Sequence, residues 1–448
     1  MVMVRKIIMT DDHLKKIRED MNKWSSKGLE TGGYLFGKLS SNGVAIVTHV
    51  LDGGPKAERT PISFSGDNEY ATRFKNELQS KDPEIMLLGE FHVHPWKTPP
   101  ALSHGDIMQL KEVKKRRPWF FVHLNTLEGV KVFDLELQGI SYILTSRGCK
   151  PCWNFAERPR EVPYQIVKTE AADESVLLDR ILKITKHDVL MKKTIVIVGL
   201  GSGGSTIAKY LGCTGLGRII LIDNEELEVA NLIRHEGGIA DLRKPKVEIC
   251  KQIIESHNPF TVVETYNLDV TKRFDKLEDI ASEADLIIGS SGSNKVNNLL
   301  NKISLERRIP AIYGGVYERA LGGYTLLVKP YETACYNCLF GLTSKSYSVD
   351  REAAERYGLN EDELHAQQGL WIDISFNSLI LSKMALEVLQ GNSIEHNLVL
   401  YYSNMEIKKM SVVRRKDCAA CNKEVWIKKV LRRKTSLKKK LKSIFKKI

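Results

Sequence analysis

A chain of 448 residues exceeds what one hydrophobic core ordinarily organises, so two or more domains are expected; 42% hydrophobic and 27% charged residues is the balance of a folded soluble protein and excludes a disordered or collagenous chain. No run of about 18 apolar residues occurs, and residues 1–10 lack the long apolar stretch of a signal peptide, so a cytoplasmic location is expected. The net charge of +12 would suggest a nucleic-acid binder, but twelve Lys/Arg against one Glu fall between Lys423 and Ile448, which leaves the preceding 422 residues at only +1.

Taken in order, residues 1–152 read as a compact α/β domain. The pattern predicts a helix over 11–24, strands near 33–38, 44–50 and 61–64, a helix near 67–80, an apolar strand from Met86, a helix over 104–115, and strands near 118–124 and 130–136. His92 and His94, two residues apart at the end of the Met86 strand, point to one face and can grip one ion. Asp106 falls in the first turn of the next helix, with Ser103 as its N-cap. Three protein ligands leave the fourth position of a tetrahedral zinc to water, which is the catalytic arrangement. Cys149-Lys150-Pro151-Cys152 closes the domain, either as a turn or as half of a zinc site.

Residues 153–190 read as linker plus the first helix of the next domain, with Val176 to Ile184 helical. The second domain spans 191–425. Ile195-Val196-Ile197-Val198 is the continuous apolar run of a buried parallel strand, and it feeds Gly199-Leu200-Gly201-Ser202-Gly203-Gly204 at a helix start. Glycines let the backbone approach phosphates, and a helix N-terminus supplies amide donors. A second apolar strand, Ile219 to Ile222, ends in Asp223 about twenty residues on, where a carboxylate reaches a ribose hydroxyl. These features indicate a Rossmann-type nucleotide site without separating NAD from ATP. Further strands are expected at Ala284–Ile288 and Ile309–Val316. Six of the eight cysteines form C-x-x-C pairs, at 149/152, 335/338 and 418/421, which in a cytosolic chain favours zinc over disulfides; Cys213 and Cys250 read as buried small hydrophobes. Residues 426–448 carry apolar positions at three- and four-residue steps between lysines, either a basic amphipathic helix or a disordered solubilising tail. An anionic membrane, making the protein membrane-peripheral, or nucleic acid would suit its charge.

Two family resemblances sharpen this reading. The string His92-Val93-His94-Pro95, seven residues, Ser103-His104-Gly105-Asp106 resembles the metal motif of the JAMM (JAB/MPN) metalloproteases, and Glu30-Thr31-Gly32-Gly33-Tyr34-Leu35-Phe36-Gly37 resembles their upstream segment. The resemblance implies a cytidine-deaminase-like α/β fold and cleavage after the C-terminal glycine of a ubiquitin-like protein. His92, His94 and Asp106 would bind zinc, Glu30 would take the proton from the zinc-bound water, and Ser103 would hold the oxyanion. Asp223-Asn224-Glu225, Asn231-Leu232-Ile233-Arg234 and Lys244-Pro245-Lys246 resemble the series of the ThiF/MoeB and ubiquitin-activating-enzyme superfamily, which adenylates such a glycine. By that resemblance Gly199, Gly201 and Gly204 line the phosphates of ATP, Asp223 holds the ribose, and Asn231, Arg234 and Lys246 contact the triphosphate; apart from the resemblance, Asp223 or Glu225 at the strand end is expected to support magnesium. Cys335, Cys338, Cys418 and Cys421 would close a structural zinc site, and homodimerisation through this domain is implied.

Two departures stand out. Gly292 occupies the place where that superfamily has a magnesium-binding aspartate, and no cysteine lies between Leu339 and Lys416, where many activating enzymes carry the thioester residue. The expected product is therefore an acyl adenylate, or an acyl group passed directly to a conjugating-enzyme thiol. The fusion resembles bacterial ubiquitin-like processing and activation systems. Sulfur-carrier processing is the enzymatic alternative, and a non-catalytic platform that delivers a ubiquitin-like protein to the peptidase is the alternative of another class.

Overall fold

The computed structural model describes residues 4–93, 120–125, 129–135, 159–161, 163–317, 322–341, 369–402 and 404–422. The chain divides into two units, Met1–Leu182 and Lys183–Ile448.

The first unit is built on an eight-stranded mixed sheet. Its strands are β1 (Lys6–Thr10), β2 (Thr31–Leu39), β3 (Val44–Asp52), β6 (Met86–Val93), β7 (Phe120–Asn125), β8 (Gly129–Leu135), β9 (Pro159–Glu161) and β10 (Tyr164–Val167), in the order β10-β1-β3-β2-β6-β7-β8-β9; β4 (Glu58–Arg59) and β5 (Phe64–Ser65) form a separate hairpin. Thr10 ends β1 and starts helix α1 (Asp11–Ser25): its Oγ1 accepts the His13 N–H at 3.2 Å, and its own N–H donates to His13 Nδ1 at 3.3 Å, a reciprocal cap that satisfies two backbone donors. Leu14, Ile17 and Met21 then recur on one face of α1 and pack on the buried Ile7, Met9, Leu35 and Val47. Helix α2 (Asn68–Lys81) is capped by Asp67, which accepts the Tyr70 N–H at 3.0 Å.

β2 runs antiparallel to β6 with Gly32 opposite His92 and Thr31 opposite Val93. That register brings the start of one strand beside the end of the other, and it positions the first candidate site. Of residues 61–64, expected as a strand, 61–63 lie in the turn of the β4–β5 hairpin and only Phe64 is in a strand, pairing with Arg59; Pro61 has no N–H to give a ladder. The segment 153–190, expected as linker plus a helix of the next domain, supplies two strands: β9 pairs with β8, and β10 lies parallel to β1, where Val167 is buried. The helix expected over 176–184 is two short turns, Glu174–Leu177 and Asp179–Leu182, with Val176 and Ile184 exposed, so no continuous apolar stripe joins them.

The second unit holds another eight-stranded sheet: β11 (Thr194–Val198), β12 (Arg218–Asp223), β13 (Val262–Asn267), β14 (Leu286–Gly289), β15 (Ala311–Val316), β16 (Gly322–Val328), β17 (Leu398–Tyr402) and β18 (Ile407–Met410), in the order β13-β12-β11-β14-β15-β16-β17-β18. The first five are parallel and the last three antiparallel. Both faces of the parallel strands are covered, which is why their sequences are continuously apolar. Val196, Val198, Ile220 and Ile222 face the layer with helices α5 (Phe274–Ala281) and α6 (Asn294–Arg307), whereas Ile195, Ile197, Ile219 and Leu221 face α3 (Ser202–Gly212), α4 (Lys246–His257) and α8 (Trp371–Leu389). A short helix, α7 (Tyr336–Phe340), joins the first layer. Strand order reverses direction at the β11–β14 boundary, and a crevice at the carboxyl ends of those two strands is where ligands bind in open parallel sheets. Among the described residues no helix is long and apolar enough to cross a membrane. The Cys149/Cys152 pair and the basic stretch 426–448 lie outside the described residues.

Candidate active sites

In the first unit the register of β2 on β6 sets Glu30 Oε2 3.3 Å from His92 Nε2, with the two side chains only 11% and 7% exposed. Burying two polar groups this nearly out of water is costly unless each has a partner. The surroundings restrict both groups. Glu30 N–H donates to the Thr60 carbonyl at 2.8 Å, so the β4–β5 hairpin lies along the glutamate. The Phe64 ring, from the same hairpin, meets His92 edge-on at 6.1 Å between centroids and fills the space over Gly32, where a Cβ would come within 2.6 Å of it. Next to Glu30, Thr31 Oγ1 donates to Asp20 Oδ2 at 2.6 Å and accepts from Arg59 Nε at 3.2 Å; Arg59 in turn stacks on Trp24 at 4.3 Å. Burial holds the Asp20 carboxyl above its usual range. His94, Ser103 and Asp106 lie outside the described residues, so the structure brings together two of the five residues expected at this site. Asp20, Arg59 and Phe64 escape sequence reasoning because they arrive from a helix and a hairpin with no motif of their own.

In the second unit the loop after β11 is pinned by three side chains from three elements. Leu200 N–H donates to Asp223 Oδ2 at 2.5 Å, His235 Nε2 bonds the Leu200 carbonyl at 3.0 Å, and Ser290 Oγ donates to the Gly199 carbonyl at 2.5 Å. His235 Nδ1 accepts the Gly237 N–H at 2.9 Å, which assigns the proton to Nε2 and requires a neutral ring. Burial, with Lys246 nearby, holds its pKa below the usual imidazole range. Gly199 needs its missing Cβ twice over: φ is +91°, and a Cβ would sit 2.5 Å from Ser291 Cα. Gly204 lets α3 approach the Gly199 carbonyl, which a Cβ would meet at 1.9 Å. Gly201, the N-cap of α3, is different, since a Cβ there meets nothing within 4 Å and no side chain caps the helix. The space beside Gly201 at the start of α3 is therefore open, and the N-terminus of a helix is a place suited to phosphate oxygens.

The basic residue expected at the triphosphate is tied to this loop by a continuous chain of contacts. Asp223 Oδ1 accepts the Glu225 N–H at 2.8 Å, and Glu225 Oε2 accepts Lys246 Nζ at 2.6 Å. Lys246 is 3% exposed, while the Glu225 side chain is 66% exposed, so the ammonium is sheltered and its partner can move. Asn231 Oδ1 caps the Glu228 N–H at 3.3 Å in the 3₁₀ segment Val229–Arg234, which ends at the half-buried Arg234 immediately before His235. Gly292 has φ +69°, so the residue standing in the aspartate's place also makes a left-handed turn. Ser290 and His235 lie beyond the motif strings; only their neighbours, the β14 strand end and Arg234, point to them.

The four distal cysteines converge. Sγ to Sγ distances are 3.7 Å for Cys335–Cys338, 3.7 Å for Cys335–Cys418 and 3.5 Å for Cys338–Cys421, and all four sulfurs lie within 4.8 Å of one another. A tetrahedron of thiolates about 2.3 Å from a zinc has edges of about 3.8 Å, so the residues fit a closed structural site. All four are buried, and Arg415 N–H donates to Cys338 Sγ at 3.4 Å, the kind of outer contact that steadies a thiolate.

The ThiF family model matches residues 174–425, more than half of the chain. Ubiquitin-like modifier-activating enzyme 5 of Drosophila mojavensis is 26% identical over 229 residues, 48% of this chain and 56% of that protein, and its counterpart from Dictyostelium discoideum is 24% identical over 226 residues, 48% and 59% respectively. The chain thus spans little more than half the length of the curated relatives it matches. Among solved structures, E. coli MccB is similar at 19% identity with a TM-score of 0.47, covering 57% of this chain and 75% of that one. The family match runs from the last helical turns of the first unit through the glycine loop to the fourth cysteine, and the chain belongs to the ThiF family.

Proposed function

We propose that the second unit adenylates the C-terminal carboxylate of a ubiquitin-like or sulfur-carrier protein with ATP, and that the first unit is a zinc peptidase acting on the same kind of tail. The observation that carries the adenylation reading is the contact chain from the open glycine loop through Asp223 and Glu225 to the sheltered Lys246. The amides at Gly201 receive phosphate oxygens. A tail carboxylate oxygen forms a bond to the α-phosphorus as the bond to the β-phosphate oxygen breaks, and pyrophosphate leaves with the electron pair. Lys246 and Arg234 place positive charge where negative charge builds on the phosphates. Asp223 and Glu225 are the carboxylates nearest to hand for magnesium, with Gly292 contributing none. Pyrophosphate exchange that needs both ATP and the small protein is the test; Lys246→Ala should reduce it at least about a hundredfold, the scale of one lost transition-state charge contact. Exchange absent while the partner still binds tightly would favour the platform reading, which Gly292 supports.

The peptidase reading is supported by the 3.3 Å pair of Glu30 and His92 inside a matching motif. When bound, a zinc held by His92, His94 and Asp106 would supply an acidified water. Glu30 would accept that proton and return it to the leaving amine, and Ser103 would donate to the oxyanion, as the motif implies. Glu30→Gln should leave the metal bound and abolish cleavage of a ubiquitin-like fusion after its terminal glycine. A Glu30→Gln protein with full cleavage would remove this assignment.

A further inference from the structure

Helix α7 starts immediately after Cys335, so the residues that present the first thiol pair also face α6. Five side-chain hydrogen bonds join the two helices. Tyr336 N–H donates to Asn301 Oδ1 at 3.0 Å, Tyr336 OH to Asn294 Oδ1 at 2.5 Å, and Asn297 Nδ2 to Tyr336 OH at 3.2 Å; Asn301 Nδ2 donates to Asn337 Oδ1 at 2.8 Å, and Asn337 Nδ2 to Asn298 Oδ1 at 2.6 Å. Positions 294, 297, 298 and 301 recur at three- and four-residue steps, which puts four amides on one face of α6. Asparagine is a poor helix former, and Asn297 and Asn301 are 2% and 1% exposed, so this polar face stands where an apolar one would be easier to build.

The other end of the ladder reaches the nucleotide loop. Asn294 is the first residue of α6 and follows directly on Ser290-Ser291-Gly292-Ser293. That turn is internally tied, with Ser291 Oγ accepting the Ser293 N–H at 3.2 Å and Ser293 Oγ capping Val296 N–H at 3.4 Å. It is in direct contact with the glycine loop through the Ser290 bond to the Gly199 carbonyl and the close approach of Ser291 to Gly199. A contiguous path therefore runs from Cys335 through Tyr336, Asn294 and the Ser290–Ser293 turn to Gly199.

We infer that Tyr336 is a positioning residue for nucleotide binding: its hydroxyl holds Asn294, and through it the Ser290–Ser293 turn, against the glycine loop, so that the four-cysteine centre supports ATP affinity as well as folding. This rests on the ATP-site reading above. Tyr336→Phe removes the hydroxyl alone, leaving the ring packed on Tyr313 and Phe340 and all four thiols in place. In the full-length protein the expected result is an unchanged zinc content, about a tenfold weaker ATP dissociation constant, and faster amide hydrogen exchange at both 289–297 and 199–203. Asn337→Ala, which removes the rungs to Asn301 and Asn298 and touches neither Asn294 nor the Tyr336 hydroxyl, should cost comparable stability and leave ATP affinity unchanged. ATP affinity and exchange protection in Tyr336→Phe equal to wild type would overturn the inference, whatever happens to Tm. If Tyr336→Phe does not fold, Asn294→Ala removes the acceptor with the tyrosine intact and serves the same comparison. Wild-type protein that binds no ATP would defeat the nucleotide-site reading instead, and exchange at 199–203 would still decide the role of Tyr336.

Discussion

Gly201 and Gly204 sit three residues apart in one motif, yet the structure gives them opposite roles that two alanine substitutions separate. A Cβ on Gly204 would lie 1.9 Å from the Gly199 carbonyl oxygen and 2.7 Å from Ser290 Oγ. Ordinary contact begins near 3.4 Å, so the first turn of α3 would have to retreat by 1.5 Å from a backbone atom that cannot swing aside. Overpacking of a well-filled site costs about 1–3 kcal/mol, and here the upper end or more is expected, because the obstacle is main chain. At about 2–4 °C per kcal/mol for a unit of this size, Gly204→Ala should lower Tm by about 10 °C. Gly201→Ala meets nothing within 4 Å, and its φ of −69° suits alanine, so only the N-cap preference is lost, about 0.5–1 kcal/mol. Its methyl would, however, stand in the open space before α3. If phosphates lie there, ATP affinity should fall at least tenfold, about 1.4 kcal/mol, in a protein that is otherwise nearly as stable as wild type. Titration calorimetry with ATP and thermal unfolding of both variants make the comparison. Wild-type ATP affinity in Gly201→Ala would refute the phosphate cradle, and wild-type Tm in Gly204→Ala would refute the close approach.

Cys335→Ser should release zinc and lower the stability of the second unit by about 3 kcal/mol or more, near 10 °C in Tm, because binding at a closed site is folding free energy; metal analysis of the wild type that finds no zinc would sink this. His235 is held below its ordinary value of 6.5, so its neutral form is favoured on folding. Its contribution is fully present above about pH 6.5 and is lost as pH falls through the folded pKa, and Tm measured against pH should drop less steeply on acidification in His235→Gln than in wild type; parallel curves would exclude the role. Gly292→Asp should cost no more than about 1 kcal/mol, since aspartate enters the left-handed region more readily than most residues, and should tighten magnesium-dependent ATP binding. Equal ATP affinity with and without the new carboxylate would mean that the turn, and not a missing ligand, is what Gly292 serves.

Much of this protein could be read without coordinates. The continuous apolar runs at 195–198 and 219–222 specify parallel strands because strands buried on both faces have no polar face to show, and a glycine loop between such a strand and a helix start indicated the proposed nucleotide site, whereas Arg234 and Lys246 were expected there from resemblance. The three C-x-x-C strings pointed to zinc and the resemblance joined 335/338 to 418/421, although only folding brings residues 83 apart in sequence within 3.7 Å. Short segments were less legible. Tyr164–Val167 reads as linker, since a four-residue run acquires its strand identity from pairing with β1 at the far end of the unit. The adjacency of Glu30 and His92 was expected from resemblance alone; its physical basis is the register of β2 on β6, which no local pattern encodes. His235, Ser290 and Tyr336 were invisible for the same reason. Each acts through one hydrogen-bonding atom aimed at a backbone or amide group that lies far away in the chain, and that direction exists only once sheet order and helix packing are set.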